Sequence, residues 1–167
     1  MKKFIVLIGF AFSLQSCSYA ISPEIVNIAD KKITFDMIRA DPDAYRGKII
    51  ILGGTIVELN NVKSGVLITV DQKPLDYWGK PTRTSRTGGQ YLIFYPRYLD
   101  FLSYAPGREI TVAGTVEGTK LKTLGDATFD YPILTSRELK LWPKEQKHAD
   151  AHPEWGDPLY DPQRQPY

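Results

Sequence analysis

From residue 49 onward, apolar positions recur mostly at every second place, the period of a half-buried strand rather than a helix. The alternation is cleanest over 108–118, where Ile110, Val112, Gly114 and Val116 fall on one side and Glu109, Thr111, Thr115 and Glu117 on the other. A longer run, 49–59, is rich in β-branched residues and apolar on both faces at its start. Gly53-Gly54 in its middle predicts a bulge or a sharp coil of the kind small closed barrels need. A polar turn over 60–65 leads back into 66–71, which makes a hairpin the natural reading. Tyr91–Tyr95 predicts a third strand, 108–118 a fourth, and 129–134 with 138–142 a last one bent at Thr135-Ser136.

Helical signals are short. Thr34 is placed to cap Phe35–Ala40, Asp36 sits in the favourable first turn, and Asp41-Pro42 stops the helix because a residue before proline avoids the helical region. A second helical turn is predicted over 97–103, with Leu99 and Leu102 three apart. Residues 72–89 hold two prolines, three glycines and four basic residues, Lys73, Lys80, Arg83 and Arg86, and read as a loop. The order strand, strand, strand, short helix, strand, strand predicts a mainly β fold, a small five-stranded OB-like antiparallel barrel with one or two short helices. A small antiparallel sandwich is the alternative. A membrane-spanning barrel requires at least eight strands and an apolar outer face, which this pattern does not supply.

The ends differ from this body. Lys2-Lys3 precede an 11-residue apolar run, Phe4–Leu14, too short to cross a bilayer that needs roughly 20 residues. A basic start, a short apolar stretch and a small-residue exit describe an export signal. Two exits are visible. Leu14-Gln15-Ser16-Cys17 resembles a bacterial lipoprotein signal box, with Gln15 departing from the small or aliphatic residue usual before the last position. Ser18-Tyr19-Ala20 resembles the A-x-A site of an ordinary secretory signal, which would release a soluble body and discard the cysteine. The lipoprotein resemblance implies diacylglycerol on the Cys17 sulfur, cleavage before Cys17, acylation of the new amino terminus and, with Ser18 rather than aspartate next, sorting to the outer membrane. At the other end, Pro143, Pro153, Pro158, Pro162 and Pro166 recur among charged and aromatic residues, so an irregular, Pro-rich tail is expected. The organisation is then 1–16 signal, 17–33 lipidated tether, 34–142 barrel and 143–167 tail.

Charge and cysteine content sharpen this picture. The chain has 21 basic and 19 acidic residues, and losing Lys2 and Lys3 with the signal leaves the two balanced. A neutral body does not suit nonspecific nucleic-acid binding, which neutralises phosphates, and no nucleic-acid partner is expected. Cys17 is the one cysteine, so no intramolecular disulfide can form and the fold stands on its apolar core. A lone exposed thiol would be an oxidation liability in an exported protein, and acylation removes it.

Candidate chemistry is sparse. The two histidines, His148 and His152, lie in the tail at a spacing that would bring them together on a helix, but nothing completes a metal site and no metal or cofactor is expected. Asp71 and Asp76 flank the end of the second strand; paired acids can cleave glycosidic bonds, yet solvated loop charges are the plainer reading. No enzyme is expected. Tyr91 and Tyr95 share one strand face, with Tyr77 and Trp78 in the adjoining loop. Such rings cover a barrel's open side well, since aromatics bury large areas. The functional alternative is a shallow groove that binds a glycan or peptide of the cell envelope through these four rings.

Several stretches together resemble the Slp family, starvation-inducible outer-membrane lipoproteins of Gram-negative bacteria. These are 45–54 (Tyr-Arg-Gly-Lys-Ile-Ile-Ile-Leu-Gly-Gly), Pro74-Leu75-Asp76 with Lys80-Pro81, 106–118, Tyr131-Pro132 through Leu141-Trp142, and Trp155-Gly156. Apart from the resemblance, other envelope proteins or glycan are the expected partners; the resemblance itself implies outer-membrane attachment through acylated Cys17 and a link to envelope stress. It implies no reaction and no ligand.

Overall fold

The computed structural model describes residues 19–124 and 127–144. Cys17, His148, His152 and most of the 143–167 tail lie outside them. Two short helices, α1 (Pro23–Ile28) and α2 (Phe35–Ala40), and a single 3₁₀ turn (Asp43–Tyr45) precede five strands: β1 (Ile49–Val62), β2 (Gly65–Lys73), β3 (Gln90–Tyr95), β4 (Glu109–Leu124) and β5 (Ala127–Leu141). The strands close into a barrel in the order β1-β2-β3-β5-β4, the OB-like arrangement. One detail of the expected antiparallel barrel changes: β3 and β5 close it as a parallel pair, with Leu92 opposite Ile133 and Phe94 opposite Thr135. Parallel closure is possible because the long β4–β5 hairpin brings β5 back across the barrel.

The long first strand serves two neighbours. Residues 49–55 pair with β4 and 53–62 with β2, so the two ladders overlap at Gly53–Thr55. Of the two readings of Gly53-Gly54, the coil is the one realised: the bulge itself falls between Ile56 and Glu58. Side chains would not fit at the coil. A Cβ on Gly54 would lie 2.0 Å from the Asp71 carbonyl oxygen, and one on Gly53 2.3 Å from Leu75 Cδ2.

Inside the barrel, Ile50, Ile56, Val66, Ile68, Val70, Tyr91, Ile93, Ile110, Val112, Val116 and Leu134 form one apolar core. Helix α2 joins it through Phe35 and Ile38, three residues apart on one face. Thr34 caps the helix as expected, its hydroxyl accepting from the Met37 amide at 3.3 Å. The expected helical turn over 97–103 is shortened and shifted: no helix forms, and the connection from β3 to β4 is a series of turns in which the Tyr104 amide donates to the Asp100 carbonyl at 3.0 Å. Asp100 is the reason. Its carboxylate accepts from the Leu102 amide at 3.0 Å and the Ser103 hydroxyl at 2.7 Å, as a helix N-cap does, so the turn starts at Asp100 and not at Arg97. Leu99 is buried while Leu102 is almost fully exposed.

Among the described residues no helix is long and apolar enough to cross a membrane.

Candidate functional site

The outer wall of the barrel, not its interior, carries the feature the sequence did not announce. Alternation put Thr111 on the solvent side of β4, but Thr111 and Ala113 are fully buried. What covers them is the chain just after Cys17. Ala20 and Ile21 pack on Ala113, with Ile25, Val26, Ile51 and Trp142 around them, as a second apolar cluster. The stretch read as a tether is therefore held down from Ala20 onward. Ser22, the N-cap of α1, donates its amide (3.1 and 3.0 Å) and its hydroxyl (2.8 Å) to the Glu138 carboxylate of β5. Further on, the Asp30 amide donates to the Ile49 carbonyl at 2.8 Å.

A polar relay ties the loop over 74–89 to the same wall. The Thr111 hydroxyl donates to the Gly79 carbonyl at 2.6 Å and accepts from the Trp142 indole N–H at 2.9 Å. Both of its hydrogen-bonding roles are used, which is what allows a hydroxyl to be buried here without penalty. Gly79 has φ +80° and sits so close that an added Cβ would be 2.9 Å from Ala20 Cβ. Asp76 shapes the turn before it: one carboxylate oxygen accepts from the Trp78 and Lys80 amides at 2.9 and 2.8 Å. Lys80 reaches back to Glu109 at 3.7 Å.

This turn presents Tyr77 and Trp78 to solvent at 84% and 56% exposure, edge to face with centroids 5.2 Å apart. With Tyr19, Ala20, Lys31 and Ile51 they border a groove of about 340 Å³. The four rings proposed as one binding face are thus divided. Tyr77 and Trp78 stand on this outer rim. Tyr91 points into the barrel, completely buried, 5.8 Å from the Phe35 ring. Tyr95 is half-buried against the core, with the Arg97 guanidinium 5.3 Å from its ring centroid. A shared groove through Tyr91 is excluded by that placement: Tyr91 lies opposite Val70 on the inner side of the β2–β3 ladder. Burial raises the Tyr91 hydroxyl far above its ordinary pKa, and the hydroxyl has no hydrogen-bond partner among the described residues.

The remaining candidates are occupied by local structure. Asp71 accepts from the Gln90 side-chain amide at 2.8 Å, and Asp76 holds its own turn. Among the described residues no three His, Cys, Asp or Glu side chains gather as metal ligands. Sequence reasoning missed Ala20, Ile21, Ser22 and Glu138. One signal was present: the two-sided apolar start of β1 already implied that the Ile51 face needed a cover.

The model of the outer membrane lipoprotein Slp family matches residues 14–167. Outer membrane protein Slp of Escherichia coli K12 is 24% identical over 144 residues, covering 85% of this chain and 76% of that protein. The uncharacterized lipoprotein YeaY of the same organism is 22% identical over 135 residues, covering 80% of this chain and 68% of that one. Among solved structures, the mitochondrial single-stranded DNA-binding protein Rim1 of S. cerevisiae aligns with a TM-score of 0.38 at 14% identity, over 59% of this chain and 97% of that one.

Proposed function

This chain belongs to the Slp family of outer membrane lipoproteins, and we propose that it is a non-enzymatic module held at the outer membrane by lipid on Cys17, with a structural or stress-associated role in the envelope. The observation that carries the reading is where the family match begins. It starts at Leu14, the first residue of the Leu14-Gln15-Ser16-Cys17 box, and extends to residue 167. The box and the body are matched as one unit, which favours acylation at Cys17 over cleavage at Ala20. Burial of Ala20 and Ile21 in the barrel wall adds support, because cleavage after Ala20 would leave a charged amino terminus on Ile21, within that apolar cluster.

Two or more acyl chains give stable attachment where one gives only marginal binding, at ~0.8 kcal/mol per buried CH₂. The non-enzymatic part of the reading is supported by the engagement of Asp71 and Asp76 in loop hydrogen bonds. The balanced charge of the body supports partners other than nucleic acid, such as envelope proteins or glycan. Metabolic labelling with a palmitate analogue tests the anchor. Label is expected on the wild type and absent from Cys17→Ser; an unlabelled wild type, or a labelled Cys17→Ser variant, overturns it.

A further inference from the structure

We infer that the Tyr19–Tyr77–Trp78 face is a membrane contact: the barrel lies against the bilayer that holds its anchor, with these rings in the phospholipid headgroup region. The inference rests on the Cys17 anchor proposed above and adds to it an orientation.

Reach is the first reason. Ala20 is docked and buried, and only Ser18 and Tyr19 separate it from Cys17. Three residues span at most about 11 Å when fully extended, so Ala20 lies no farther than that from the Cα of Cys17, whose own side chain and amino group carry the lipid. Gly79 packs on Ala20, and Tyr77 and Trp78 immediately precede Gly79 in the chain. The rim cannot hang away from the bilayer surface while the cluster around Ile21 stays closed.

Chemistry is the second. Tyr and Trp are the side chains that settle at membrane–water interfaces, where the ring is apolar and one end is polar. Here two such rings are displayed outward by a turn whose amides are fixed on Asp76, and Tyr19 joins them, 57% exposed. These rings contribute little to the core. Lys31 borders the same groove and suits lipid phosphates, while Lys80, nearer the barrel, is matched by Glu109. The opposite end of β1 carries no comparable reach: Tyr98 is equally exposed but borders Asn61 and Ser64 at the β1–β2 hairpin tip.

The test uses the full lipidated protein in vesicles of phosphatidylethanolamine and phosphatidylglycerol, with lipid brominated near the carbonyl end of its acyl chains as a shallow quencher. Flotation reads the anchor. The difference in emission between wild type and Trp78→Phe reads Trp78 against the other two tryptophans. The Trp78 emission is expected to fall about twofold on brominated vesicles, as for an interfacial ring. Adding Tyr77→Trp to Trp78→Phe should restore the quenching, and adding Tyr98→Trp should not. If the protein floats but Trp78 is unquenched, the inference is overturned and the anchor stands. That holds whether aqueous acrylamide reaches the ring, placing the face in water, or does not, placing residues 145–167 or another protein over it. If the protein does not float, the anchor reading fails and the orientation fails with it.

Discussion

Ile21→Ala removes three carbons from a side chain that is 2% exposed in the cluster on the barrel's outer wall. At ~0.8 kcal/mol per buried CH₂ the transfer loss is about 2.4 kcal/mol. A cavity contribution would add to it, but the site is bordered by the partly exposed Ile25 and Val26, which can close in, so the low end of the usual range for such truncations applies. If the docked segment opens separately from the barrel, 2.4 kcal/mol shifts that opening by about fiftyfold, since 1.4 kcal/mol is a factor of ten. Amide hydrogen exchange reads this at named positions. Val26 donates to Ser22 (3.0 Å), Ala29 to Ile25 (2.9 Å) and Asp30 to Ile49 (2.8 Å). Their protection should fall about fiftyfold, while amides of the central β4 ladder around Val112 change far less. Unchanged protection at Ala29 and Asp30 would refute the claim that Ile21 holds the segment down. Equal losses at Asp30 and Val112 would show that segment and barrel open only together.

Three further predictions address the barrel itself. Tyr91→Phe removes a buried hydroxyl with no partner among the described residues, whose desolvation costs about 1–3 kcal/mol. A gain near 1 kcal/mol, seen as a thermal midpoint a few degrees higher, is expected, and a lower midpoint would mean the hydroxyl is bonded after all. Gly54→Ala drives a methyl group into the Asp71 carbonyl and should cost about 3 kcal/mol or more. Gly107→Ala, with φ +84° and open space, should cost only about 1 kcal/mol, and urea midpoints that rank the two the other way would contradict the close-approach account. Glu58 accepts from Lys122, whose ammonium also donates to Thr69 at 2.9 Å. The Lys122 bond, then one from Asn60, holds the Glu58 carboxyl below its ordinary pKa. A lowered folded-state pKa stabilises above the ordinary glutamate value and loses that contribution as pH falls through the lowered one. The stability gap between wild type and Glu58→Gln should therefore be full at neutral pH and close on acidification; a gap constant across the acid range would reject the pairing.

The apolar pattern was enough to locate all five strands and the inward set Ile110, Val112 and Val116, because strand pairing buries one side of each strand whatever its neighbours are, and residue type alone located the Thr34 cap. The Leu14–Cys17 box was legible for a similar reason: a short linear motif needs no tertiary context. Periodicity could not say which face of β3 turned inward, since Tyr91 and Leu92 are both buried and the strand reads as apolar on either side. Nor could local sequence show that Asp100 would capture its own following residues, although an Asx turn was a competing option there.

What only the tertiary structure decided is the use of the outer wall. Thr111 reads as solvent-facing because a small polar residue on a strand is equally at home under water or under another segment. Ala20 and Ile21 read as a tether because two apolar residues cannot form a core of their own. Each becomes informative only in contact with the other, and the bond that fixes the contact, Ser22 to Glu138, joins residues 116 apart in the chain. Local propensity fixes elements over a few residues; packing of one element's uncovered face on another is settled by long-range complementarity. Here that packing brings the exposed Tyr77 and Trp78 beside the chain that leads to Cys17.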